Sequence, residues 1–183
     1  MSEPFNPTHA VRFDLGSGRV TVGGQEGSEP RVLVPADALR HLCASAGADG
    51  LTDFGRSLGT DIGHRVAARV GAASSVSTVV EHLGGDLALA GLGSLGAEVW
   101  GQALVFTVTG SPLGNEGDAL LAAVLEGALQ RALARDAAVV PIDRTDGKAR
   151  LVVVSRATAG RVRQWLSDGV SWGDALSRLS AAP

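Results

Sequence analysis

Between Asp53 and Val70 the chain repeats two kinds of residue at one interval. Phe54, Leu58, Ile62, Val66 and Val70 recur every fourth position, and Gly55, Gly59, Gly63 and Ala67 recur beside them. Residues four apart share a face only in a helix, so the segment predicts a helix with an apolar ridge flanked by a groove of minimal side chains. Each glycine inside a helix costs roughly 1 kcal/mol relative to alanine. A helix that keeps three must be letting another backbone come close, and that backbone is a second helix of the chain or a dimer mate. A lipid setting for this small-residue pattern is excluded, because Arg56, Asp61, Arg65 and Arg69 share the helix.

Around this segment the punctuation is clear. Residues 1–10 read as a flexible tail, and residues 11–34 as an N-terminal β ribbon of short β-favouring pieces (Val11–Leu15, Arg19–Val22, Arg31–Val34) separated by glycine-rich turns. Residues 35–155 form the core. There Pro35 starts a helix over Ala36–Ala46 that ends at Gly47–Gly50, and a further helix over Val76–Ala90 follows the glycine helix. Leu92–Gly96 reads as a turn, and Ala97–Trp100 and Ala103–Thr109 as strands. Asp118–Arg135 reads as an amphipathic helix with Leu121, Val124, Leu125, Ala128 and Leu129 inward and Glu126, Gln130 and Arg131 outward. Ala137–Ile142 and Ala149–Ser155 pair across Arg144–Gly147, and residues 156–183 supply C-terminal helices packed on the same domain.

The chain has 183 residues, 45% of them apolar and 19% charged, which suits one folded domain. Its net charge of −3 argues against a nucleic-acid partner. The charge is uneven: residues 143–163 carry six cations against two acids, and the remainder ten against seventeen. With a single cysteine, Cys43, there is neither an internal disulfide nor a cysteine-rich zinc site, which points to a reducing compartment. No stretch approaches about 18 uninterrupted apolar residues and no apolar leader precedes the first strand. The expectation is a cytoplasmic protein without an integral membrane segment.

Catalytic patterns fail on context. Gly91-Leu92-Gly93-Ser94-Leu95-Gly96 matches a dinucleotide fingerprint in spelling, but it follows a helix and precedes a strand, the reverse of what pyrophosphate binding needs. Lys148 has no upstream glycine at the spacing of a phosphate loop, and Ser94 is one residue out of register for a nucleophile elbow. Cys43 sits at an apolar helix position as a small hydrophobe. His64 and Asp61 share a helix face and are expected to pair at the surface. His9, His41, His64 and His82 have no spacing that joins two metal ligands. No catalytic residue, metal or cofactor is assigned.

Four segments in order resemble the 4-vinyl reductase domain and its relatives, the subunits of the eukaryotic TRAPP tethering complexes. Leu58–Val66 is similar to the glycine-rich helix of that superfamily. Leu104–Thr109 running into Ser111-Pro112-Leu113 is similar to its strand-and-proline corner, Val124–Leu129 to its small-residue helix, and Val140–Val154 to its closing hairpin. The resemblance implies an α+β fold, a helical layer packed on an antiparallel sheet, and dimerisation through helices. It also implies either of two roles, since bacterial members commonly bind small hydrophobic molecules upstream of a regulatory output and eukaryotic members are scaffolds that help activate a small GTPase. The sequence departs from relatives that carry clustered cysteines in the hairpin or an acylated cysteine after the glycine helix. Here those places read Asp143–Arg150 and Gly71–Ser75.

The expected function is therefore a non-enzymatic, homodimeric regulatory module that binds a small hydrophobic ligand or a protein partner. The alternatives are a scaffold acting on a small GTPase or signalling complex and, more remotely, an enzyme of tetrapyrrole or aromatic metabolism. A ligand pocket would draw on Leu39, Leu42, Cys43, Phe54, Leu58, Ile62, Trp100, Leu104 and Phe106, residues that would equally make a solid core. Partner contacts would come from Arg150, Arg156, Arg161 and Arg163 with Trp165 and Trp172. Gly55, Gly59 and Gly63 would serve the dimer or a close helix pair.

Overall fold

A computed structural model describes residues 11–22, 29–71 and 75–181. Three short strands, β1 (Val11–Asp14), β2 (Arg19–Val22) and β3 (Glu29–Arg31), form a small antiparallel sheet in the order β1-β2-β3. Helices α1 (Ala36–Ser45), α2 (Ala48–Val70) and α3 (Val76–Leu89) follow. Strands β4 (Ser94–Trp100) and β5 (Ala103–Thr109), helix α4 (Asp118–Leu133), strands β6 (Ala137–Thr145) and β7 (Lys148–Ser155), and helices α5 (Arg156–Ser167) and α6 (Trp172–Ala181) complete the chain. The fold is α+β, its main sheet being antiparallel in the order β4-β5-β7-β6.

Alternation along the central strands explains the layering. On β5, Phe106 and Val108 face one way and Ala103 and Val105 the other; on β7, Ala149 and Leu151 oppose Val152. A strand with both faces apolar must be covered twice. One cover is the large core shared with α1 to α4, and the other is a smaller core shared with α5 and α6, through Ala159, Val162 and Leu176. The helical layer expected on one side is therefore the larger of two.

The glycine groove of α2 is filled by α4 of the same chain. A Cβ built on Gly55 would lie 2.6 Å from the Ala123 Cβ, one on Gly63 2.6 Å from the Ala128 carbonyl oxygen, and one on Gly59 would run into the Val124 carbonyl oxygen. Gly127 on α4 returns the fit, its position abutting the Arg56 backbone. The second helix, and not a dimer mate, occupies this groove.

Several boundaries differ from expectation. α2 begins at Ala48, so Gly47–Gly50 is a corner and not a stop: Gly47 is the cap and Gly50 lies in the first turn. β4 begins at Ser94, and Gly96 is a strand residue facing Thr107 across the sheet. The β6–β7 hairpin closes on two residues, with Asp146 and Gly147 both at positive φ (51° and 75°), so the strands run to Thr145 and from Lys148. A register shift between Pro141 and Asp143 bulges β6 near Ile142.

Glu126 was expected outward and is instead buried. Its Oε1 accepts the Val139 backbone N–H at 2.9 Å and its Oε2 faces Arg56 at 3.2 Å, so it joins α2, α4 and β6. Side-chain caps set the starts of α3 and α5: Ser75 accepts the Thr78 N–H at 3.1 Å and Ser155 the Thr158 N–H at 3.2 Å. Residues 1–10 lie outside the described residues.

Candidate functional site

A cavity of about 420 Å³ lies where the small sheet leans over the helices. Val11, Val20 and Val22 of β1 and β2 form its roof, with the strap Val32–Val34 that leads from β3 into α1. Leu39 of α1 and Phe54, Leu58 and Ile62 of α2 form the floor. Leu89 to Leu92, at the end of α3, and Pro112-Leu113 after β5 close the far wall. The strap is the most exposed apolar stretch of this lining, with Val32 at 85%, Leu33 at 70% and Val34 at 58%.

One end of the cavity is polar. Asp61 and Arg65 of α2, Arg31 of β3 and Asp86 of α3 all reach the lining. Asp61 Oδ2 accepts from Arg65 Nη1 at 2.6 Å and from Arg31 Nη1 at 2.9 Å. Arg65 Nε donates to Asp86 Oδ1 at 2.9 Å, and Arg69 pairs with the other Asp86 oxygen. The Asp86 side chain has no solvent exposure. Two arginines on a fully buried carboxylate are the arrangement that makes burial of such a charge tolerable.

Burial raises the Asp61 carboxyl, but the hydrogen bonds and charges of Arg65 and Arg31 outweigh it and hold the group below the ordinary carboxylate value. Burial lowers Arg65, and its bonds to Asp61 and Asp86 more than restore it. The site therefore combines apolar walls with fixed donors and acceptors at one pole, which can hold a small molecule that is mostly apolar and carries a polar group.

Phe54, Leu58, Asp61, Ile62 and Arg65 lie at successive spacings of four, three, one and three, which is one helix face. The apolar half of that face is plain in the sequence. The Asp61–Arg65 step is equally present in the sequence, beside the expected Asp61–His64 pair. In the structure His64 Nδ1 lies 2.9 Å from Arg131 Nη2 and takes no part in the site.

Of the pocket residues expected from sequence, Leu39, Phe54, Leu58 and Ile62 line the cavity and the rest do not. Phe106 and Cys43 are buried in the large core, Leu104 packs against it, and Leu42 is exposed on α1. Burial raises the Cys43 thiol, with the Glu116 charge adding to the effect. Trp100 lies against Trp172, ring centroids 5.2 Å apart and planes at 83°, away from the cavity. The lining from β1, β2 and the strap was missed because short alternating pieces do not say what they face.

The residues expected to meet a partner are not gathered into one site. Arg150 pairs with Asp143 and sits 5.3 Å from the Trp172 ring centroid. Trp165 packs on the small core beneath Arg178. Arg156 pairs with Asp136, while Arg161 and Arg163 are exposed on α5. Among the described residues no three His, Cys, Asp or Glu side chains stand together as a metal site, and no helix is long and apolar enough to cross a membrane.

No family model matches the chain, and none of the curated proteins does. Among solved structures it is similar to the phenol-responsive sensory domain of the transcription activator PoxR, solved with phenol. The TM-score is 0.62 at 12% identity, covering 95% of this chain and 93% of that one. The likeness shows a shared fold.

Proposed function

We propose that this chain is a non-enzymatic regulatory module of the 4-vinyl reductase type, which senses a small, mostly apolar molecule held between the ribbon and α2. The observation that carries the reading is the cavity itself. Its volume falls within the range of small-molecule sites, its walls are apolar, and its polar pole is built from charges fixed by one another. The fold shared with a small-molecule sensory domain supports the same role. In this reading the protein acts in the cytoplasm as a homodimer and passes its state to a regulatory output.

Native mass spectrometry and a thermal-shift screen of small, mostly apolar compounds that a cavity of about 420 Å³ can enclose test the reading. A retained molecule, or a class that raises the melting temperature in proportion to the logarithm of concentration, is the expected result. A clean apo mass together with no stabilising compound would refute it. A second reading, an adaptor for an acidic protein, is favoured by exposed Arg161 and Arg163 on α5. Changing both to Glu should then remove a partner in pull-down, and an unchanged partner list counts against it.

A further inference from the structure

The cavity has two sides of different character. Its floor and far wall draw on α2 and α3, which are built into the large core through Ile62, Val66, Leu83 and Leu87. Its roof belongs to a sheet whose strands pair only with one another among the described residues, and to a strap whose three apolar side chains are largely in water. Between the two runs the ion pair Arg31–Asp61, at 2.9 Å, with Arg31 on β3 and Asp61 on α2. Asp61 is fixed from behind, since the oxygen that meets Arg31 also accepts from Arg65, and Arg65 is anchored on the buried Asp86. Arg31 rides on a three-residue strand.

We propose that the ribbon and strap are a lid on the cavity, latched by Arg31 on a carboxylate that the body presents ready-made, so that parting this pair opens the way for a ligand. The proposal rests on the ligand-binding reading above and adds how the site is regulated. A partly exposed ion pair suits the task, because it biases a closed state without locking it. A molecule whose polar group meets the Asp61–Arg65 pole sits beneath the latch. Its occupancy then favours the closed lid, and ribbon position becomes the quantity a downstream partner reads.

Hydrogen exchange on Arg31→Ala, Arg31→Lys and wild type tests the latch, read at the amides of residues 11–22 and, as an internal control, at α4. The alanine variant should exchange roughly 1.5- to fivefold faster in β1 and β2, the range a partly exposed pair supports, with α4 unchanged and the lysine variant close to wild type. Stopped-flow release of prodan, an uncharged naphthalene dye used as the apolar probe, should speed up by a similar factor in Arg31→Ala. Faster exchange without faster release would show a loose ribbon that is no lid, and would overturn the proposal. Prodan binding with both exchange and release unchanged would overturn the latch while leaving the cavity reading intact. Failure of prodan to bind the wild type would count against the cavity reading, and the exchange measurement would still decide whether Arg31 holds the ribbon.

Discussion

Replacing Gly59 by alanine separates the two effects that a helical glycine combines. Taken alone, the change should stabilise α2 by about 1 kcal/mol, the usual advantage of alanine over glycine in a helix interior. The new methyl group, however, would run into the Val124 carbonyl oxygen, and it would stand 2.8 Å from the Val124 carbonyl carbon and 3.0 Å from the Ala128 nitrogen. All three obstacles are backbone, so no rotamer change relieves them and α4 must move as a body. Overpacking costs typically 1–3 kcal/mol, and rigid obstacles place Gly59 near the upper end, about 3. The net expectation is a loss of about 2 kcal/mol, or a fall in melting temperature of roughly 4–8 °C for a domain of this size. Gly160 on α5 is the control: nothing lies within 4 Å of a Cβ built there, so Gly160→Ala should gain up to about 1 kcal/mol. Urea unfolding followed by far-ultraviolet circular dichroism reads both. If Gly59→Ala proves as stabilising as Gly160→Ala, α2 and α4 are not in backbone contact and the account of the large core is wrong.

Three further outcomes follow from named contacts. Glu126→Ala strands the buried Val139 N–H and should cost about 1–3 kcal/mol, while Glu126→Gln keeps an acceptor there and should cost less, as denaturant midpoints will show. Leu58→Trp should fill the cavity floor and abolish any ligand-induced thermal shift while far-ultraviolet circular dichroism stays unchanged; an undiminished shift would place the ligand elsewhere. Because Asp61 is held below its ordinary value, its contribution to stability is complete above the unfolded-chain value of about 3.9 and is lost as pH falls through the lower folded value. Ribbon exchange corrected for intrinsic rate should therefore rise below about pH 4 in wild type and be flatter in Asp61→Asn.

The elements most legible in the sequence are those whose pattern is long. The α2 ridge and groove identify both the helix and the need for a close neighbour, and α4 supplies that neighbour in the same chain. The start of α2 was not legible, because Gly47 and Gly50 spell a stop and only the tertiary corner with α1 makes them a helix entry. Glu126 misled for a related reason: a carboxylate on an otherwise apolar helix reads as solvated, and its partners, the Val139 amide and Arg56, are 13 and 70 residues away. At the site, period four places Phe54, Leu58 and Ile62 on one face, whereas the expectation that Leu42, Cys43, Trp100, Leu104 and Phe106 join them rests on helices and strands facing one another, which the sequence does not specify residue by residue. Hydrophobicity says that a side chain leaves water. It does not say whether it meets a solid core, a second tryptophan or a space.

The double-faced strands β5 and β7 bear on how such a chain can change over time. A single residue inserted in β7 would exchange Leu151 and Val152 between the two cores, and every later residue of the strand would follow. The two-residue turn at Asp146-Gly147 therefore fixes the length of the hairpin for both helical layers together. The roof strands carry no such double duty, so length variation among descendants should collect in β1–β3 and their turns, where it would reshape the cavity entrance and leave the scaffold untouched.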